Sequence, residues 1–564
     1  MVLISSCCHQ LHASRISSEP SSGSVKLSRL SVFLSHLPPP SPSLMLRGRL
    51  ALFVYAATSA SAYVWPGTPQ LNALEALRWQ GNTNGMTTFA SNANCTAFVG
   101  GTKTGRTNAA DWIRTAYHDM ATFNIADGTG GMDGSIRFAE EQARPEDPGN
   151  GFTNTLAILL NLSTRYASIA DILSLGAIIS IENCGGPEIA FRGGRVDAAV
   201  PNNPGVPEPS QDLASHISAF ARQGFTQSEM IGLVACGHTF GGVQQAVFPD
   251  IVPVLNSSTN TQSVSHFDAT FNYFDNNVAT EYISGTTQNP LVVGSNATTN
   301  SDGRIFSSDG NVTMRSFANS PDVFSSTCAT LIARMLDTVP AGIQLTEVIT
   351  ALPVKPDLLK FDLSADGTTI QFSGQLRLWD TPLLSTQPPV VMFWTDHVGA
   401  TGSVTLTAAG VFTLGVRHTA GWYNIPALTF PASSGFKSMY FTVDGQVEDQ
   451  DGVGFAVQDD LMWSQSSCVV SGASATGLFH VAVRNTLAPT RVFLEQAARD
   501  NVTRPIIVET DMALISPSST GFSIWSVQVA NNFNPFTIGA EVNGTKISRN
   551  DPRTYSGFAA CPSS

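Results

Sequence analysis

The chain has 564 residues, 42% of them hydrophobic and 13% charged, with a formal net charge of −13. That is a globular composition without the basic excess that nucleic-acid binding needs, and the length allows two to four domains of about 100–200 residues each. The first 44 residues are rich in Ser and Pro and have no apolar period, so they read as disordered or as a misassigned start.

From Met45 the text changes to MLRGRLALFVYAATSASAYVWP, with Arg47 and Arg49 ahead of an apolar run and Ala60-Ser61-Ala62 as a small-residue cleavage site. This reads as a signal peptide over residues 45–62, with Met45 as the true initiator. The competing reading, a short membrane anchor, suffers from an apolar run too short to span a bilayer comfortably. The expected location is therefore extracellular, with no membrane association after cleavage. Six cysteines follow, Cys95, Cys184, Cys236, Cys328, Cys468 and Cys561, and an even number in an oxidising compartment favours disulfides. Sequons at Asn94, Asn161, Asn256, Asn296, Asn311, Asn501 and Asn543 permit glycosylation, with Asn311 the one expected to be too buried.

Asn108 to Met120, NAADWIRTAYHDM, reads as a helix in which Arg114 and His118, four apart, share one face with Tyr117 beside them, while Asp119 points elsewhere. The Gly-rich segment Asp127 to Ser135 comes next, and its residue types suit a hard cation. TLAILLNL and SIADILSLGAIIS, between Thr155 and Glu182, read as core helices. A further helix is specified by Thr226 and Glu229 at capping-box spacing, with Phe225 and Met230 placed as a hydrophobic staple. Gly237 breaks it and leaves His238 at its carboxyl end. Alone, such a histidine is usually a packed or capping residue.

Two histidine helices in this order, with GTGGMDGSIRF after the first, resemble the plant, fungal and bacterial haem peroxidase superfamily over roughly residues 94–337, with a likeness to secreted fungal members. The resemblance implies haem b, with His238 as iron ligand, His118 and Arg114 as the catalytic groups on the opposite face, and Tyr117 and Phe267 against the cofactor. It implies two calcium ions, one held by Asp119, the Gly131 carbonyl, Asp133 and Ser135, the other by Thr239, Asp268, Thr270, the Tyr273 carbonyl and Asp275. Asp309, in RIFSSDGNVTM, matches the carboxylate that accepts a hydrogen bond from the iron-binding histidine. Asp147 stands where the family usually has an asparagine bonded to the catalytic histidine, which makes His118 more basic and puts its efficiency in question; Asn150 is the alternative partner. By position Cys95 and Cys184 resemble a pair of the secreted fungal members. Cys468 with Cys561 suits a staple of the C-terminal part and Cys236 with Cys328 is what remains, although connectivity is not readable from sequence.

The resemblance also narrows the reducing substrate. Where manganese-oxidising relatives carry three acidic residues this chain has Thr107, Asp111 and Gln244, and where lignin-type relatives carry a surface tryptophan it has Leu233. Neither a manganese site nor a surface radical site is expected, which leaves small phenolic donors oxidised at the haem edge.

From about Pro340 the texture changes to strands. Asp366-Gly367 and Asp444-Gly445 are hairpin-type turns, and Ile370-Phe372, Phe412-Leu414-Val416, Phe479-Val481-Val483 and Trp525-Val527-Val529 alternate as half-buried strands do. One or two β-sandwich units are expected, in which Trp394, Trp422 and Tyr423 are either core or an exposed carbohydrate-binding platform. The whole is a multidomain chain, a mainly α-helical peroxidase domain over 63–340 and an all-β, sandwich-like region over 341–564. Its expected activity is reduction of hydrogen peroxide with one-electron oxidation of small organic donors. The alternatives are a haem-binding homologue with weakened catalysis, motivated by Tyr117 and Asp147, and a non-catalytic protein that contacts carbohydrate or cell wall through the β region.

Overall fold

The computed structural model describes residues 63–80, 95–380, 386–414, 418–470, 475–517, 521–530 and 535–562. The expected signal peptide, the segment before it, the Asn94 sequon and Val416 lie outside the described residues.

The first histidine helix spans Asn108–Ala121 and starts where the Thr107 hydroxyl accepts the Ala110 N–H. The second spans Gln227–Gly237 under the expected capping box, in which the Glu229 carboxylate accepts the Thr226 N–H at 2.8 Å. Phe225 and Met230 are both buried in the same core. Between them in sequence runs helix Ile169–Asn183, buried from Ile169 through Ile181, which makes it the central post of the helical domain. Cys236–Cys328 ties the second histidine helix to helix Pro321–Leu336, and Cys95–Cys184 ties the central post to the chain ahead of the first.

The C-terminal region is built from strands Val354–Leu363 onward. A ten-stranded sheet forms its spine, and two smaller sheets pack on it at different ends. One, of five strands, shares a phenylalanine-rich core with it that includes Phe361, Phe372, Phe436 and Phe441. The other, of four strands, closes a second core around Trp463, Phe479, Leu494 and Phe536. Two sandwiches therefore share one sheet. Cys468–Cys561 joins the short strand Cys468–Val470 to the residue that follows the short strand Ala559–Ala560. Both hairpin turns form as expected, with Gly367, Asp444 and Gly445 at positive φ.

The strands do not hang from the helical domain as an appendage. Glu75, on helix Pro69–Trp79, is completely buried and bonded to Lys355 at 2.7 Å and to Arg377 at 2.5 Å, both from the long sheet and both without exposed side chain. Burial pushes the Glu75 carboxyl up, but the two cations outweigh it and hold it down at about 2. Arg165 adds a two-pronged ion pair to Glu495 at the far end. This seam explains why Trp422 and Tyr423 are core rather than platform, each 1% exposed. Trp422 stands across from Arg377 on the seam side of the sheet, and Tyr423 turns into the sandwich, where its hydroxyl donates to the Pro388 carbonyl at 2.9 Å. Trp394 is half-buried and edge-on to Phe430. Phe412, expected to be half-buried, is exposed on the outermost strand of the long sheet.

Candidate active site

One cleft of about 1530 Å3, partly open to solvent, receives side chains from both histidine helices. His118, Arg114 and Tyr117 line it from the first and His238 from the second, with Phe267 and Leu291 among its apolar walls.

His118 is buried, and its Nδ1 lies 2.5 Å from the Asp147 carboxylate. A carboxylate only accepts, so Nδ1 carries the proton and Nε2 is the unprotonated nitrogen left for the cleft. Burial first, then the positive charge of Arg114, lower the His118 pKa to about 4, against the opposing pull of Asp147. The imidazole is therefore neutral at physiological pH, and the carboxylate fixes its tautomer without charging it. Arg114 donates to the Pro148 carbonyl at 3.0 Å and lies 4.4 Å above the Phe152 ring. Burial lowers it to about 10, so it remains a cation. Asn150, the alternative partner for His118, is used elsewhere: its side-chain oxygen accepts from Arg106 at 2.7 Å. Tyr117 stacks on Phe220, with burial raising its phenol above the usual range.

Across the cleft, His238 is the C-cap residue of its helix, and its N–H donates to the Val234 carbonyl. Its ring stacks on Phe267 with centroids 4.0 Å apart, and Nδ1 lies 2.7 Å from the Asp302 carboxylate. That partner corrects the expectation of Asp309. Asp309 instead caps helix Val312–Asn319, accepting from the Val312 and Thr313 N–H groups at 3.0 and 2.9 Å. The reason is local: Asp309 precedes Gly310 and Asn311, both at positive φ in an outward turn, whereas Asp302 opens helix Ser301–Phe306 and is fixed by buried Ile305 and Phe306. Asn289, which the sequence did not single out, donates to the same Asp302 oxygen at 2.8 Å. His216, also missed, reaches the cleft wall from helix Leu213–Arg222; a buried histidine on an amphipathic helix carries no signal that separates it from core.

The donor set fits haem on two observations. An imidazole, that of His238, whose Nδ1 is anchored to a buried carboxylate lines a largely apolar cleft, and a second histidine with a guanidinium beside it stands on another helix of the same cleft.

The two calcium expectations divide. Asp119, Asp133 and Ser135 do come together, but not as a shell. The Asp119 carboxylate accepts backbone N–H groups from Asp133, Gly134 and Ile136, and the Asn202 amide nitrogen lies 2.9–3.3 Å from both Asp133 oxygens, Ser135 Oγ and Thr122 Oγ1. Donors already address the oxygens that a cation would need, so this arrangement does not fit the ion. At the other site buried Asp268 leaves Oδ2 without a partner. Burial and the neighbouring Asp275 carboxylate push Asp268 up to about 7, and Thr239 and Thr270 oxygens lie in the same cluster. Orphaned carboxylate oxygen among hydroxyls fits a hard cation. No cluster of three or more His, Cys, Asp or Glu suited to a metal occurs among the described residues.

The comparisons agree with this geometry. Residues 97–320 match the family model described as Peroxidase. A WSC domain-containing protein of Arthroderma benhamiae is 38% identical over 308 residues, which is 54% of this chain and 42% of that protein. Peroxisomal L-ascorbate peroxidase 5 of Arabidopsis thaliana is 35% identical over 132 residues, 23% of this chain and 46% of the relative. Mitochondrial cytochrome c peroxidase of Candida albicans is 31% identical over 134 residues, 23% of this chain and 36% of the relative. The chain thus spans less than half the length of each of these curated relatives. With both histidines, the guanidinium and Asp302 on the walls of one cleft and Asp147 bonded to His118 Nδ1, residues 97–320 constitute a peroxidase-family domain, followed by a region of β-sheets that the family model does not cover.

Proposed function

We propose that this protein is a secreted haem peroxidase that reduces hydrogen peroxide at the cleft and oxidises small, phenolic-type donors there. The observation that carries the reading is the pair of histidines on one cleft, each with Nδ1 bound to a carboxylate, with Arg114 on the His118 side only. His238 would hold the iron through Nε2, and Asp302 would make that nitrogen a stronger donor. Haem, when bound, supplies the redox equivalents for cleaving the O–O bond. His118 Nε2 takes the proton from one peroxide oxygen and returns it to the other, and Arg114 stabilises the negative charge that develops as the bond breaks. Asp147 holds the ring so that Nε2 stays the base. Asp268, Asp275, Thr239 and Thr270 would hold one calcium ion behind His238. Secretion is supported by the signal-like segment at 45–62 and by three disulfides.

The test is stopped-flow absorbance of the haem-reconstituted protein mixed with peroxide, beside His118→Ala. Rapid change of the haem spectrum in the wild type and a much slower one in the variant is the expected result. Haem that binds but reacts in neither protein selects the weakened homologue, and failure to bind haem rejects the proposal. A role for the β region in contacting an external polymer is the second reading, favoured by the five-stranded sheet, whose strands Ser438–Val443, Val390–Thr395 and Thr401–Thr405 line up Ser and Thr side chains with no charged residue among them.

A further inference from the structure

The five-stranded sheet turns one side into the phenylalanine-rich core and leaves the other to solvent. Inward go Val390, Met392, Met439 and Phe441, each at most 1% exposed. Outward, the register builds three rows across strands Ser438–Val443, Val390–Thr395 and Thr401–Thr405. The middle row is Tyr440, Phe393 and Ser403. Ser438, Thr395 and Thr401 form the row on one side, and Thr442, Val391 and Thr405 the row on the other.

Phe393 and Tyr440 stack with centroids 4.8 Å apart and ring planes only 5° from parallel. Tyr440 is 38% exposed. Around them stand six hydroxyl-bearing side chains, and none of the nine positions carries Asp, Glu, Lys or Arg, in a chain whose net charge is −13. Charged residues are ordinarily found at exposed positions, so a charge-free face of this regularity is unusual. Its aromatic centre would suit a protein partner, but the surrounding Ser and Thr rows are of the types depleted at interface cores and rare among energetic anchors.

We propose that this face binds a neutral polysaccharide. Pyranose rings present flat C–H faces and equatorial hydroxyls. The exposed Tyr440 ring, held in place by its stack on Phe393, offers an aromatic surface for the first, and hydroxyls repeating about every 4.8 Å from strand to strand, each donor and acceptor, offer partners for the second. The absence of charge excludes an acidic polymer as the preferred ligand. This names the partner and the surface for the second reading above, and it stands or falls independently of chemistry in the cleft.

The experiment is depletion of the purified protein from solution by insoluble cellulose, chitin and β-1,3-glucan, at low and high salt, for wild type, Phe393→Ala/Tyr440→Ala, Tyr440→Phe, Thr395→Lys and His118→Ala. The wild type should partition onto at least one polymer with little salt dependence. The double variant and Thr395→Lys should lose about tenfold or more in partition coefficient, with thermal midpoints near wild type because these side chains stand outside the core. Tyr440→Phe keeps the ring and should retain most of the binding, and His118→Ala should bind as wild type. No binding to any polymer, equal binding by the double variant, or binding abolished by salt overturns the proposal. A wild-type dimer that the double variant converts to monomer overturns it in favour of self-association. Binding without peroxide reactivity would reject the peroxidase reading alone, and reactivity without binding this one alone.

Discussion

The two sides of the cleft repeat one motif, a histidine with Nδ1 on a buried carboxylate, and put it to different uses through what surrounds it. His118 is 9% exposed in its side chain, pressed against Phe152 and beside the Arg114 guanidinium. His238 is 29% exposed, stacked flat on Phe267, and bound to a carboxylate that also accepts from Asn289. A neighbouring cation disfavours imidazolium and keeps the first ring a free base. An anion further tied down by an amide, with no cation among the contacts described for the ring, suits the second for permanent donation to a metal. The lesson is that the dyad by itself does not define a role. Its neighbours do.

Substitutions can break that contrast. The largest effects should come from the histidines, in opposite ways: His238→Ala should weaken haem retention, read by the Soret band after gel filtration, whereas His118→Ala should keep haem and slow the peroxide step by roughly 10²- to 10⁴-fold in stopped flow. Next comes Arg114→Leu, expected to cost the same step about 10²- to 10³-fold while leaving haem binding unchanged.

The carboxylates sharpen the comparison further. Asp302→Asn should shift the ferric–ferrous potential of bound haem upward, measured by spectroelectrochemistry, because a neutral amide makes His238 a weaker donor. Asp309→Asn should leave the potential unchanged, and an equal response of the two would restore Asp309 to the role expected from sequence. The smallest effect concerns pH. Because burial and Arg114 hold His118 at about 4, the rate of the peroxide step should be flat near neutrality and fall as pH drops through about 4. Asp147→Asn removes the group that pulls the value up, so the acid limb should move to lower pH; a limb moving upward would contradict the electrostatics described. Linkage has the same sign. An unfolded His118 titrates near 6.5, so the unfolded chain binds the proton first, and this residue's contribution to stability declines as pH falls from about 6.5 toward 4.

Much of the site was legible because its signals are local. Arg114 and His118 fall on one helical face by spacing alone, and the Thr226/Glu229 box forms as its residues require. The choice between Asp302 and Asp309 was not legible. Both sit in Ser-Asp-Gly, and only the packing of Ile305 and Phe306 against the core sends the first inward while Gly310 and Asn311 send the second to a helix cap. The cation sites divide for a similar reason. Asn202, far from Asp133 in sequence, delivers its amide among the expected ligands of one, whereas at the other no group among the described residues satisfies Asp268 Oδ2.

By itself the sequence determined the two histidine helices, the turns at Asp366-Gly367 and Asp444-Gly445, the change from helical to strand texture near Pro340 and the kinship of the helical domain, because propensity, capping and turn chemistry act over a few residues. Only the tertiary structure decided which carboxylate serves His238, that Trp422 and Tyr423 lie in a seam and a core, and that Phe393 and Tyr440 form the aromatic pair on an open face. Those outcomes depend on which side of a strand or turn another segment covers. The Glu75, Lys355 and Arg377 cluster shows why: its charges lie about 280 to 300 positions apart in sequence and acquire meaning only when the two regions close on one another.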